Sequence, residues 1–134
     1  MIKAKKSLGQ NFLINYEVLE QIVNTVEIND KEILEIGPGS GNLTSHILKR
    51  NPKKIYVIEK DDELVLLLSK KFKDEISIIH DDVLKIAEDK ISNEKLIVFG
   101  NLPYNISTEI LSKWIVNLNK NFWFNNLVLM FQKE

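Results

Sequence analysis

Residues 32–41 read Glu-Ile-Leu-Glu-Ile-Gly-Pro-Gly-Ser-Gly, and the prediction of the fold starts here. A short apolar run that stops at closely spaced glycines predicts a buried strand and a tight turn into a helix. Glycine accepts positive φ and lets a ligand approach the backbone closely. The G-x-G-x-G spacing is neither the dinucleotide fingerprint G-x-G-x-x-G nor a Walker phosphate loop. The stretch therefore predicts a strand–turn–helix unit that can bind a ligand, with a purely structural turn as the alternative.

The same alternation of short apolar runs and amphipathic stretches continues on both sides of this unit. Strands are predicted at 32–36, 54–59, 76–80, 95–99 and 126–131, and helices at 15–27, 42–50, 61–72 and 107–118, with a weakly helical connection at 83–90. Such alternation predicts an α/β fold with a mainly parallel sheet and ligands at the carboxyl ends of its strands. A length of 134 residues without repeats or linkers predicts one domain over 1–134.

The composition excludes several classes of protein. There is no cysteine, so disulfides and thiolate metal sites are excluded. No long apolar run or signal-peptide core occurs, which predicts a cytoplasmic protein without a membrane span. The net charge of −1 lacks the basic excess usual in nucleic-acid binders. Lys3, Lys5 and Lys6 form a local basic cluster, for which a solvated terminus is the simpler interpretation.

Acidic residues follow the second and third predicted strands. Glu59 closes the second strand about twenty residues after the glycines, where a ribose-binding acid sits in related folds. Asp82 can accept a hydrogen bond from an adenine amino group, although Asp81 could take that part, or either could cap the next turn. A solvated glutamate is the alternative for Glu59. Together with the glycine turn, these acids indicate an adenosine-shaped pocket.

The tetrapeptide Asn101-Leu102-Pro103-Tyr104 is predicted to follow the fourth strand directly. The Asn101 amide oxygen can accept one N–H of a planar amino group, and a carbonyl at Leu102 or Pro103 can accept the other. Tyr104 offers a stacking face for an extruded base. These groups would hold an adenine amino nitrogen in line with a sulfonium methyl group, by positioning and electrostatics and without a metal. An ordinary Asn-x-Pro turn is the alternative.

Several motifs in this order resemble the ribosomal RNA adenine N6,N6-dimethyltransferases, the small-subunit dimethyladenosine transferases. They are 8–13 (Leu-Gly-Gln-Asn-Phe-Leu), 35–44, 58–59, Asp82, 100–107 (Gly-Asn-Leu-Pro-Tyr-Asn-Ile-Ser) and 132–134. The resemblance implies a Rossmann-like class I S-adenosylmethionine-dependent methyltransferase fold with helices on both faces of the sheet. It also implies S-adenosylmethionine as cofactor, and dimethylation of small-subunit ribosomal RNA during ribosome biogenesis, with neither a metal nor a membrane involved.

The resemblance also assigns residue roles. Cofactor binding falls to Asn11, Leu13, Gly37, Gly39, Glu59, Asp82 and Asn101, target-base binding to Gln10, Phe12 and Tyr104, and catalysis to Asn101, Leu102, Pro103 and Tyr104.

The chain departs from this family in its length. Family members continue with further strands and a small helical domain, so the sequence predicts an N-terminal portion truncated after the fifth strand. We expect a monomer for the full-length protein, and poor solubility or self-association for this chain, because 127–131 leaves an open sheet edge.

Three alternatives to the leading function stay open. They are methylation of large-subunit RNA, as in the erythromycin-resistance enzymes, methylation of DNA adenine or protein glutamine, and a low-activity RNA-binding assembly factor. Residues 9–13 argue against DNA and protein targets.

Overall fold

The computed structural model describes residues 15–117 and 122–131, apart from the side chains of Tyr104, Asn117 and Phe131. The helices are α1 (Tyr16–Val23), α2 (Asn42–Leu48), α3 (Asp62–Phe72) and α4 (Tyr104–Asn117). The strands are β1 (Glu32–Ile36), β2 (Lys54–Glu59), β3 (Ser77–His80), β4 (Leu96–Leu102) and β5 (Phe124–Phe131). Single 3-10 turns occur at Lys73–Glu75, Val83–Lys85 and Glu88–Lys90.

The five strands form one sheet in the order β3-β2-β1-β4-β5, and every neighbouring pair is parallel. The predicted parallel sheet is therefore confirmed. Ile36, the last residue of β1, pairs with Ile58 on one side and with Gly100 on the other. The strand order reverses between β1 and β4, and such a reversal opens a crevice at the carboxyl ends of the strands.

Both faces of the sheet are covered, which confirms the predicted layers. Because successive strand residues point to opposite faces, Ile33 enters one core and Leu34 the other. The first core packs α1, α2 and α3 against the sheet. The second packs α4 and the segment 83–91 against the opposite face, with Trp114 at its centre. Within the described residues, no helix is long and apolar enough to cross a membrane.

Local signals explain where helices begin. The Asn15 side chain accepts a hydrogen bond from the Val18 N–H at 3.1 Å and caps α1. Asp61 caps α3 by accepting from the N–H groups of Glu63 and Leu64 at 2.9 and 3.1 Å. Each cap satisfies backbone donors that the first helical turn leaves without intrahelical partners.

Several predicted boundaries were wrong, and the error at β4 affects the candidate site most. This strand does not end at residue 99 but continues through 100–102, because those residues pair with Leu129, Met130 and Phe131 of β5. Consequently α4 begins at Tyr104 rather than at 107.

The other errors concern the ends of two helices, the starts of two strands and one connection. Helix α1 ends at Val23, not at 27, and the Thr25 hydroxyl donates to the Ile22 carbonyl at 2.7 Å just beyond it. Helix α2 ends at Leu48, β3 begins at Ser77 and β5 at Phe124, each within two residues of the prediction. The connection at 83–90 contains single turns instead of a helix.

Candidate active site at the carboxyl ends of the strands

A cleft of about 630 Å³, partly open to solvent, lies where β1, β2, β3 and β4 end. Its lining includes most of the site residues predicted within the described part of the chain: Gly37, Glu59, Asp81, Asp82, Asn101, Leu102 and Pro103. The remaining wall is largely apolar, from side chains such as Ile36, Ile58 and Val83. A smaller cavity of about 250 Å³ adjoins it along the glycine turn, and Gly37 and Asn101 line both spaces. Gly39 lies in the smaller cavity.

The turn after β1 requires its glycines. Gly37, Gly39 and Gly41 have φ values of +67°, +57° and +89°, a region that other residues rarely adopt. The Gly37 N–H donates to the Ile58 carbonyl at 3.1 Å. A Cβ at Gly37 would lie 3.2 Å from the Asn101 carbonyl oxygen, so the missing side chain lets the turn approach β4 closely.

Glu59 ends β2 inside the cleft and is only 9% exposed. Its Oε2 accepts hydrogen bonds from the N–H groups of Lys60 and Asp61, both at 3.1 Å. Burial raises the pKa of the Glu59 carboxyl, and these backbone donors partly oppose the shift. The solvated alternative for Glu59 is therefore wrong, because the carboxylate is held in place within a partly desolvated pocket.

Both acids after β3 line the cleft, and Asp82 also caps the next turn. The half-buried Asp82 accepts from the Leu84 N–H at 3.0 Å and starts the turn Val83–Lys85. The exposed Asp81 accepts from the Asp82 N–H at 2.7 Å. Capping and lining are compatible here, because the capping bond fixes the backbone that forms the wall of the cleft.

The tetrapeptide forms the corner between β4 and α4 rather than a separate turn. Asn101 and Leu102 are buried strand residues, 6% and 5% exposed. Pro103 alone separates the strand from the helix, and its carbonyl accepts the Ser107 N–H at 3.0 Å in the first turn of α4. Tyr104 opens α4, and its side chain lies outside the described part of the structure.

Sequence reasoning gave no role to Glu35, a buried carboxyl beneath the glycine turn. Glu35 is 2% exposed, and its Oε1 accepts from the Thr44 hydroxyl of α2 at 2.5 Å. Burial raises its pKa to about 7; the Thr44 hydrogen bond opposes this shift, and the negative charge of Glu59 adds to it. The signal available in the sequence was a glutamate inside an otherwise apolar strand.

The remaining predicted site residues, Gln10, Asn11, Phe12 and Leu13, lie outside the described residues. Across 15–117 and 122–131, no three or more His, Cys, Asp or Glu side chains converge in a way that could hold a metal ion.

The chain matches known proteins in sequence along its whole length. The sequence profile described as "Ribosomal RNA adenine dimethylase" matches residues 1–134. The chain is 70% identical over 133 residues to the ribosomal RNA small subunit methyltransferase A of Pelagibacter ubique, covering 99% of this chain and 51% of that protein. It is 41% identical over 138 residues to the protein of the same name from the Wolbachia of Drosophila simulans, covering all of this chain and 50% of the relative. The chain thus spans about half the length of these curated relatives.

Solved structures agree with this fold. A dimethyladenosine transferase from Plasmodium falciparum superposes with a TM-score of 0.73 at 28% identity, covering 89% of this chain and 42% of that one. The 23S rRNA methyltransferase ErmE gives a TM-score of 0.73 at 22% identity, covering 88% and 46%. These likenesses confirm the predicted Rossmann-like class I methyltransferase fold.

Proposed function

The chain belongs to the ribosomal RNA adenine dimethylase family, and from this premise we propose that it carries the catalytic centre of an enzyme that methylates adenine N6 in small-subunit ribosomal RNA. The proposed product is N6,N6-dimethyladenosine, and the proposed methyl donor is S-adenosylmethionine. One observation carries the proposal: the buried Asn101 lines both the main cleft and the smaller cavity of the glycine turn. If these two spaces hold the two ends of the cofactor, Asn101 lies near the methyl group to be transferred, where it can also contact the target.

The cleft fits the adenosine half of the cofactor. It combines apolar walls with a few polar groups, as small-molecule sites do. We assign Glu59 to the ribose hydroxyls and Asp82 to the adenine amino group. Asp82 is preferred to Asp81 because it is the less exposed of the two.

The smaller cavity fits the amino-acid end of the cofactor. Gly37 and Gly39 bring bare backbone to this space, and a Cβ at Gly37 would intrude toward Asn101. Asn11 and Leu13 are proposed, by family resemblance, to complete the cofactor site. When bound, S-adenosylmethionine supplies an electrophilic methyl group on a positively charged sulfonium.

The chain's own task at the target base is to orient an amino nitrogen whose lone pair is delocalised into the ring. The Asn101 amide oxygen is proposed to accept one N–H of that group. The Pro103 carbonyl already accepts the Ser107 N–H, so we favour the Leu102 carbonyl for the second N–H. Tyr104, Gln10 and Phe12 are proposed to hold the base itself. Positioning of this kind accelerates transfer without a covalent intermediate.

The test uses labelled S-adenosylmethionine with unmodified small ribosomal subunits, and the products are mapped by mass spectrometry. We expect label in adenines of small-subunit RNA. Naked large-subunit RNA, DNA and protein serve as competing substrates in parallel reactions. Label confined to any of these would overturn the proposed substrate, and cofactor binding without transfer to any of them would favour an assembly factor.

A further inference from the structure

One wall of the cleft comes from a segment with little regular structure of its own. Between β3 and β4 the chain forms only the single turns Val83–Lys85 and Glu88–Lys90. Yet Val83 and Leu84 line the cleft opposite Ile106 of α4. Short isolated turns are weakly stable by themselves, so contacts from elsewhere must fix the position of this wall.

Lys113 of α4 makes those contacts. Its ammonium donates to the carbonyl oxygens of Val83 and Ile86 at 2.7 and 2.5 Å, and to the Glu88 carboxylate at 3.0 Å. Val83 belongs to the first turn, Glu88 to the second, and Ile86 lies between them. A lysine ammonium has three donors, so this one side chain links both turns to α4, in addition to the apolar packing of the segment on that helix.

The Glu88 carboxylate that accepts from Lys113 is buried. Glu88 is 4% exposed and also accepts from the indole N–H of Trp114 at 2.6 Å. Trp114 is itself 2% exposed in the core between α4 and the sheet. A buried carboxylate is costly unless it is paired and hydrogen-bonded, so removing the Lys113 ammonium leaves both the carboxylate and two carbonyls without that donor.

We propose that Lys113 is a positioning residue that sets the adenosine side of the cleft. It joins the segment that follows Asp82 to the helix that follows the tetrapeptide, and so fixes the spacing between the two walls. The inference rests on the proposed cofactor site. Lys113 differs from the proposed cofactor-binding residues, because it acts through Val83 and Leu84 and does not line the cleft.

The test compares wild type with Lys113→Met, which keeps the aliphatic stem and removes the ammonium. Calorimetry measures the affinity for S-adenosylhomocysteine and for methylthioadenosine, which lacks the amino-acid end. We expect both ligands to bind about tenfold more weakly, the loss typical of removing a charged donor. An equal loss for the two ligands places the defect on the adenosine side. Lys113→Arg is expected to recover part of the affinity, because it restores a cation.

Lys53→Met is the matched control, since Lys53 pairs with Glu94 at 2.7 Å at the opposite edge of the sheet. It should leave both affinities unchanged. If Lys113→Met binds both ligands like wild type, with only a lower melting temperature, Lys113 is a structural contact and the inference is wrong. Should Lys113→Met fail to fold, Glu88→Gln decides: a loss of affinity in a folded protein supports the inference, and unchanged affinity overturns it. A wild-type chain that binds neither ligand would instead refute the proposed cofactor site.

Discussion

The charged side chains at the carboxyl ends of the strands lie in different surroundings from those at the amino ends. At the carboxyl-end edge, Glu35 and Glu59 are buried, and their described hydrogen bonds come from the Thr44 hydroxyl and from backbone N–H groups. Burial raises the pKa of both carboxyls. Negative charge is therefore disfavoured on these two carboxyls.

At the amino ends of the strands, exposed and half-buried polar side chains hydrogen-bond to one another. Lys53 donates to Glu94 at 2.7 Å, and the Tyr56 and Ser92 hydroxyls donate to Glu32 at 3.0 and 2.7 Å. The hydrogen bond between Lys53 and Glu94 lowers the pKa of the carboxyl and raises that of the amine. The charged forms of Lys53 and Glu94 are therefore both favoured, and their opposite charges balance each other.

The contrast supports a ligand site at the carboxyl ends of the strands. A positively charged ligand at the carboxyl ends of the strands would offset the cost of ionising the buried Glu35 and Glu59. At the amino ends, the charged groups already have partners within the protein. The sulfonium and ammonium groups of S-adenosylmethionine meet this requirement.

The strongest test of the contrast is Asn101→Ala. We expect methyl transfer to fall at least about a hundredfold, because the amide that orients the target nitrogen is lost. Binding of S-adenosylhomocysteine should survive in part, since Glu59 and Asp82 remain. Filter binding of labelled RNA product and calorimetry measure the two quantities. Asn126→Ala, an exposed asparagine on β5, is the control and should behave like wild type. Equal turnover in the Asn101 variant would remove the tetrapeptide from the mechanism.

Two glycine variants distinguish an effect on ligand binding from an effect on the stability of the fold. Each alanine adopts a positive φ at a cost of about 1–2 kcal/mol. In Gly37→Ala the new Cβ meets the Asn101 carbonyl, so affinity for S-adenosylhomocysteine should fall more than affinity for methylthioadenosine. In Gly41→Ala the Cβ would lie 2.5 Å from Phe72 Cε2 in the core, so denaturant unfolding should reveal the larger loss of stability. The same ligand profile in both variants would show that the two glycines have one role.

The smallest effects are pH slopes of opposite sign at the two edges. The pKa of Glu35 is raised from 4.5 to about 7 in the folded chain, so its contribution to stability is full below 4.5 and is lost as the pH rises through 7. Glu35→Gln should remove the Glu35 share of that decline in urea unfolding between these pH values, while Glu59, whose pKa is also raised, keeps its own share. An undiminished decline in Glu35→Gln would show that another group causes it.

Glu94→Gln provides the opposite case. Because Lys53 lowers the pKa of Glu94, the pair stabilises the fold above the ordinary carboxyl pKa and loses that contribution as the pH falls through the lowered value. The pair is exposed, so the effect should be small and should vanish in about 1 M salt.

Sequence patterns predicted those parts of the fold that local signals determine. The bounds of β1 and β2 matched the prediction, because glycine follows one strand and an Asn-Pro pair closely precedes the other. The extension of β4 escaped prediction, because 100–102 resemble a loop and become strand only through pairing with β1 and β5. Tertiary pairing overrode local propensity there.

The candidate site shows the same division. Gly37, Glu59 and Asp82 were predictable, because each follows a strand and the carboxyl ends of parallel strands meet at one edge. The Lys113–Glu88 contact joins residues 25 positions apart and has no local pattern. The buried state of Glu35 also depends on helix α2 packing over it, which composition and spacing do not reveal.

The single-residue corner at Pro103 has a consequence for the order of events in the proposed reaction. Because Pro103 alone connects β4 to α4, Asn101 is rigidly joined to α4. The acceptors of the target amino group therefore stay in place between the first and the second methyl transfer. An unmodified adenine offers two N–H bonds to those acceptors, but a monomethylated adenine offers only one. The second methylation therefore has to begin from a less firmly held nitrogen, and a time course should show the monomethyl species accumulating before the dimethyl product.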